Sequence, residues 1–176
     1  KKAAEPVQKA IVNVTGITSQ TDYFNATYEN EQKTTGVIIG LNESSLYIAT
    51  DYSILENVER IQVELNGGAL VDAVYQNRDE DTGIAIVKVA VKDISEEDMN
   101  RIEVAKLGNS YNVSKGDPII ALGNPMGYSD YISNGMITSI SNKVSVFDGQ
   151  YTVFTTNISG STAGNGVIAN LDGEII

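Results

Sequence analysis

Residues 159 to 166 read Ser-Gly-Ser-Thr-Ala-Gly-Asn-Gly, a run of small side chains with hydroxyls at Ser159, Ser161 and Thr162. A loop this dense in Gly, Ser and Thr can turn successive backbone N–H groups inward as an anion-binding nest, the device that stabilises an oxyanion in acyl transfer. Hydroxyls beside such a nest are weak nucleophiles until a base takes their proton. The usual base is missing, because the chain contains no histidine. Cysteine is absent as well. Ser-His-Asp and Cys-His mechanisms, a thiolate nucleophile, a disulfide framework and a Cys-based zinc site are therefore excluded. Lys88, Lys106, Lys115 and Lys143 supply amines that could act as bases. Gly160-Ser161-Thr162-Ala163-Gly164 also fits Gly-x-Thr-x-Gly, a distant echo of the nucleophile elbow, but nothing around it reads as the strand-to-helix turn that elbow requires.

Other chemistry is thinner. Asp79-Glu80-Asp81 could attract calcium, yet it lacks the Gly and distal Glu of a calcium loop and reads as a solvated turn. No cofactor or metal is expected. Nine tyrosines, Tyr52 among them, and no tryptophan offer an aromatic surface for peptide. With 12 Lys plus Arg against 23 Asp plus Glu, the net charge of -11 repels phosphate backbones and anionic lipid, so nucleic acid is an unfavourable partner. No apolar run approaches the roughly 20 residues that span a bilayer, and no apolar leader core follows Lys1-Lys2, so no direct membrane insertion is expected.

The elements that must position these residues are short strands. At 41% hydrophobic, 176 residues can fill the core of one domain of ordinary size. Ile11 to Val14 reads as a strand closed by Gly16, and Ser19 to Lys33 as a polar surface loop or irregular hairpin. Thr34 to Leu41 and Ser45 to Thr50 form a hairpin, followed by strands over 61–65, 69–76 and 84–91. Lys92 to Arg101 is a charged connector in which Ser95 can cap a short helix. Strands over 104–107, 118–122, 135–141, 143–147 and 151–155 follow, with Asp148-Gly149 as a turn. Asp172-Gly173 then closes a last hairpin. Such spacing, without helical periodicity, predicts an all-β sandwich or barrel pair.

Several segments together resemble the HtrA (Deg) family of trypsin-like serine proteases. Asn170-Leu171-Asp172-Gly173-Glu174-Ile175-Ile176 is similar to the family's Asn-x-Asp-Gly-Glu-Val-Ile hairpin. Tyr47-Ile48-Ala49-Thr50-Asp51-Tyr52-Ser53-Ile54 resembles its Tyr-Ile-Leu-Thr-Asn-x-His-Val segment. Asp79 to Lys88 resembles Asp-x-x-Thr-Asp-Leu-Ala-Val-Leu-Lys. Leu107-Gly108-Asn109-Ser110, Lys115-Gly116-Asp117, Ala121 to Gly127 and Asn134 to Ile140 are similar to its second-barrel signatures, in the same order.

The resemblance implies a trypsin-like double β-barrel of two six-stranded antiparallel barrels, with the last strands missing: a first barrel over 7–92, a connector over 93–103 and a second barrel over 104–176. It sets the family's general-base histidine at Ser53, its orienting aspartate at Gly83 and its nucleophilic serine at Gly164. The oxyanion glycine falls on Thr162, followed by Ala163. With all three catalytic roles vacant, the expectation is a pseudoprotease and no enzyme. Its function would be to bind or scaffold a peptide or protein partner in the cleft between the barrels, outside the cytoplasm in the bacterial envelope. The alternatives are a residual or rewired endopeptidase of the HtrA type and a structural spacer. Oligomeric state is not legible.

Overall fold

The computed structural model describes residues 4–21, 27–124, 131–146, 149–160 and 164–176. They divide into two compact units, one of Lys9–Val104 and one of Lys1–Gln8 with Ala105–Ile176. Helix α1 (Ala4–Lys9) opens the chain, with Ala4 and Val7 buried.

In the Lys9–Val104 unit, strands β1 (Ile11–Thr21), β2 (Thr27–Leu41), β3 (Ser45–Asp51), β4 (Arg60–Glu64), β5 (Leu70–Arg78) and β6 (Ile84–Ala90) close into a barrel in the order β1-β2-β3-β6-β5-β4. Every pairing around the ring is antiparallel. Alternation explains the closure: Leu46 and Ile48 on β3, Val87 and Val89 on β6, and Val63 on β4 all point inward and are fully buried. Removing such a side chain from water contributes about 1.5–3 kcal/mol, and the closed ring leaves no free edge. The polar stretch Ser19 to Lys33 is largely strand. β1 and β2 stay in register out to Thr21↔Thr27, so the two arms project beyond the core and their outer residues are polar because solvent faces them. Gly16 does not end β1. It sits opposite Ile61 of β4, at a point where a side chain would have no room. After the barrel, α2 (Glu96–Met99) starts at Ser95, whose hydroxyl accepts from the Asp98 N–H at 3.1 Å.

The second unit holds β7 (Lys106–Leu107), β8 (Pro118–Asn124), β9 (Tyr131–Val146), β10 (Gly149–Thr156), β11 (Asn165–Ala169) and β12 (Glu174–Ile175). They form one six-stranded sheet in the order β10-β9-β8-β11-β12-β7. Among the described residues this sheet is open, with β10 and β7 at its ends, and its core is the smaller set Ile119, Ala121, Leu122, Ile137 and Ala169. The two strands expected over 135–141 and 143–147 are one strand, β9. The turn expected at Asp148-Gly149 begins outside the described residues.

Candidate active site

The segment carrying Ser53 is built by β3 and a cap. β3 ends at Asp51, which stays extended (φ -79°, ψ 127°) while its carboxylate accepts from the Ser53 N–H at 2.8 Å, starting a 3-10 turn over Tyr52–Leu55. Aspartate suits this position because its side-chain oxygen satisfies an N–H that the turn leaves without a partner. Ser53 is exposed.

Tyr52 ties this turn to the segment carrying Gly83. Its N–H donates to the Gly83 carbonyl at 2.8 Å, extending the β3–β6 ladder one step past Asp51↔Ile84. Its ring lies beneath the Arg78 guanidinium, 4.0 Å from carbon to centroid, and beside Tyr75 at 6.0 Å between centroids, tilted by 58°. A cation over an exposed ring contributes about 0.5–1 kcal/mol. Arg78 also pairs with Glu80 at 3.1 Å, and that hydrogen bond raises its already high pKa. Tyr52 was legible in the sequence; Tyr75 and Arg78 were not, because their contact with it depends on the β5–β6 pairing and on the irregularity between Tyr75 and Asn77.

The Asp79–Gly83 turn consumes the acidic cluster. The Asp79 carboxylate accepts from the Thr82 hydroxyl at 2.6 Å and from the Asp81 N–H at 3.2 Å, and the Gly83 N–H donates to the Asp79 carbonyl at 3.0 Å. Gly83 closes the turn at φ +71°, where a Cβ would meet no atom within 4 Å. The hydrogen bond from Thr82, then the one from the Asp81 N–H, holds Asp79 below its ordinary pKa of 3.8. The sign follows from linkage. A carboxyl whose pKa is depressed by folding stabilises the fold above its unfolded value, and that contribution is lost as pH falls through the folded value. Thr82→Val is expected to move the Asp79 titration, followed by carboxyl-carbon NMR, up toward 3.8. An unmoved titration would contradict the assignment.

The chain leaves β10 after Thr156. The Asn157 carboxamide oxygen accepts from the Met136 N–H at 2.8 Å, and the Asn157 N–H donates to the Met136 carbonyl at 3.3 Å, so the loop starts pinned to β9. Gly135 makes this possible: a Cβ there would run into the Asn157 oxygen and lie 2.5 Å from Ile158 Cγ1. Ser161, Thr162 and Ala163 lie outside the described residues. Gly164 is half-buried just before β11. At Gly166 a Cβ would press on the Leu122 carbonyl of β8, so β11 approaches β8 at a point only glycine fits. The hairpin beyond is held by Asn170, whose side-chain oxygen accepts from the N–H groups of Asp172 (3.0 Å) and Glu174 (2.9 Å) while Gly173 turns at φ +78°. Asn124, opposite Asn165 in the β8–β11 ladder, keeps a buried side-chain oxygen that has no hydrogen-bond partner among the described residues.

The structure therefore brings Ser53 and Gly83 together within one unit, one residue and one hydrogen bond apart through Tyr52, and sets Gly164 in the other unit. Of the lysines, Lys88 lies mid-strand on β6 opposite Tyr47 and Val74, four positions along the ladder from the residue preceding Tyr52. Lys106, Lys115 and Lys143 are exposed on the second unit. Among the described residues no cluster of acidic side chains is arranged to hold a metal, and no helix is long and apolar enough to cross a membrane.

Residues 34–176 match the trypsin-like peptidase domain. The chain is 29% identical over 143 residues to a probable periplasmic serine protease, do/HhoA-like, of Haemophilus influenzae, covering 80% of this chain and 29% of that one. It is 31% identical over 144 residues to a probable periplasmic serine endoprotease, DegP-like, of Buchnera aphidicola, covering 80% and 29%. It is 27% identical over 173 residues to the serine protease Do-like HtrA of Lactococcus lactis, covering 92% and 39%. The chain thus spans between about a quarter and two fifths of the length of these relatives. The comparisons correct one expectation from the sequence. Vacancy at Ser53, Gly83 and Gly164 argued for no enzyme, whereas the matched domain is a peptidase domain and the relatives that align over most of the chain are named serine proteases. The expectation reasoned from one catalytic unit, and losing a unit says nothing about hydroxyls elsewhere in the same loop. By closed antiparallel barrel and domain match together, the chain belongs to the trypsin-like peptidase domain family, and its relatives there are HtrA-type proteins.

Proposed function

We propose that this chain is the protease domain of an HtrA-type serine endopeptidase that acts on extended polypeptide, with its chemistry rewired around the hydroxyls of residues 159 to 162. The observation that carries the reading is the match of residues 34–176 to a peptidase domain, with residues 159 to 162 inside those bounds. A chain without histidine cannot use an imidazole. In the rewired form Ser159, Ser161 or Thr162 attacks the scissile carbonyl, an amine or carboxylate accepts the hydroxyl proton and returns it to the leaving amine, and water then hydrolyses the acyl ester. Ser53, Gly83 and Gly164 take the places of the family's base, orienting acid and nucleophile, and Thr162 and Ala163 those of its oxyanion loop. Domain bounds of 7–92, 93–103 and 104–176 and an extracytoplasmic site of action belong to the same reading, supported by the periplasmic names of two relatives.

The expected activity is slow. A protease deprived of its whole triad keeps about 10³ to 10⁴ over water from the oxyanion site and binding, against about 10⁶ contributed by the triad. Prolonged incubation of an unfolded casein at high enzyme ratio, with mass spectrometry of the products, is expected to show new peptide termini accumulating linearly in time. A product spectrum identical to that of casein alone would overturn the proposal.

A further inference from the structure

Beside the Tyr52–Tyr75 pair, the Lys9–Val104 unit carries a groove of about 510 Å³ that the reading above does not use. Its walls are the 3-10 turn, the segment 57–61 and residues 72–75 of β5. Leu55, Val58, Ile61 and Ala73 supply an apolar floor, and Val74 and Tyr75 stand 64% and 42% exposed along it. This is not a surface for strand addition, because the barrel is closed and β4 and β5 are both paired on each side. An occupant must be held by its side chains.

The charges define what those side chains are. Glu59 and Asp72 both line the groove. Glu59 accepts a hydrogen bond only from the Ser19 hydroxyl at 2.8 Å, and Asp72 only from the Gln62 amide at 3.2 Å, so among the described residues neither carboxylate has a cationic partner. The groove's one cation, Arg60, reaches Glu29 of β2 at 4.0 Å. Arg78, over Tyr52, is held by Glu80. Two carboxylates against one arginine leave the groove net acidic, and with its apolar and aromatic lining it fits a side chain with an aliphatic stem and a cationic head, next to an apolar neighbour.

We propose that this groove is a polypeptide-docking site for segments that alternate apolar residues with lysine or arginine, the stems lying on Val58, Val74 and Tyr75 and the heads facing Glu59 and Asp72. It is built entirely from residues of the Lys9–Val104 unit, and it captures polypeptide whether or not residues 159 to 162 cleave. A chain of net charge -11 gains from such a site, since basic segments are drawn to it and the groove sorts them.

The test is fluorescence anisotropy with a labelled peptide whose core is Leu-Lys-Leu-Arg between Gly-Ser flanks, compared with Leu-Glu-Leu-Glu and Ser-Lys-Ser-Arg cores. The basic apolar peptide is expected to bind best, and added salt to weaken it. Glu59→Gln with Asp72→Asn is expected to weaken binding about tenfold, a few-fold for each partly exposed charge pair. Glu31→Gln with Glu43→Gln removes the same charge elsewhere and should change binding less than twofold. Equal losses from the two pairs would show attraction to the net charge alone and overturn the site. So would equal binding of Ser-Lys-Ser-Arg, or no binding of any peptide. Binding is read without cleavage, so a chain that fails to cut casein leaves this result unaffected.

Discussion

Restoring the three family residues together, as Ser53→His with Gly83→Asp and Gly164→Ser, is expected to raise casein cleavage by at least about 10²-fold, toward the roughly 10⁶ a complete triad contributes. The Tyr52 N–H to Gly83 carbonyl bond of 2.8 Å holds the backbones of positions 53 and 83 side by side. An aspartate at 83 finds open space around its Cβ. It costs about 1 kcal/mol at φ +71°, a conformation aspartate tolerates better than most residues. The pair can be checked without turnover. In the Ser53→His, Gly83→Asp variant the new imidazole is expected to titrate above its usual value of about 6.5, because a neighbouring carboxylate favours the charged ring. An unshifted imidazole would mean that the two side chains do not meet. A shifted imidazole with no gain in the triple variant would place the fault at position 164 or at Thr162, where the resemblance sets the family's oxyanion glycine.

The second large effect falls on stability. Gly16 of β1 lies against the end of the 3-10 turn that carries Ser53: a Cβ there would collide with the Ile54 carbonyl and lie 2.9 Å from Val58 Cγ1. The first obstacle is backbone, so relief requires the turn itself to move. Gly16→Ala is therefore expected to cost about 2–3 kcal/mol, the upper part of the range for overpacking a tight interior, and to lower the melting temperature by roughly 4–12 °C for a chain of this length. Gly149→Ala, where nothing lies within 4 Å, is the matched control and should be near neutral. Equal urea midpoints for the two variants would contradict the packing account. The same collision couples fold to site, since an alanine at 16 should also disturb the imidazole titration of the Ser53→His, Gly83→Asp variant.

Much of this was legible in the sequence for physical reasons. The alternation in Tyr47 to Thr50 and Ile84 to Val89 predicts strands because inward and outward residues must differ, and Asp172-Gly173 predicts a hairpin because only such a pair turns easily there. Ser95 announces its helix by the cap it makes. What was hidden depends on pairing at long range. The Ser19 to Lys33 stretch reads as a loop because arms that leave the core lose their apolar alternation, although their ladder continues. Arg78 meets Tyr52 only after a register shift between Tyr75 and Asn77, which no local pattern reports. Asn157 resembles any loop asparagine until β9 brings Met136 to it. At the site, the resemblance sets the family's catalytic positions at Ser53, Gly83 and Gly164, and the inference from those residues to no enzyme was the step that the relatives overturned.

The measurement that tests the central claim most directly is cleavage of unfolded casein by the natural chain beside its Ser159→Ala, Ser161→Ala, Thr162→Ala variant, with circular dichroism confirming that both are folded. The account predicts slow cleavage by the natural chain, at least about tenfold reduced in the variant because the attacking hydroxyl is gone. Cleavage that persists unchanged in the variant, or no cleavage by either protein, would contradict it.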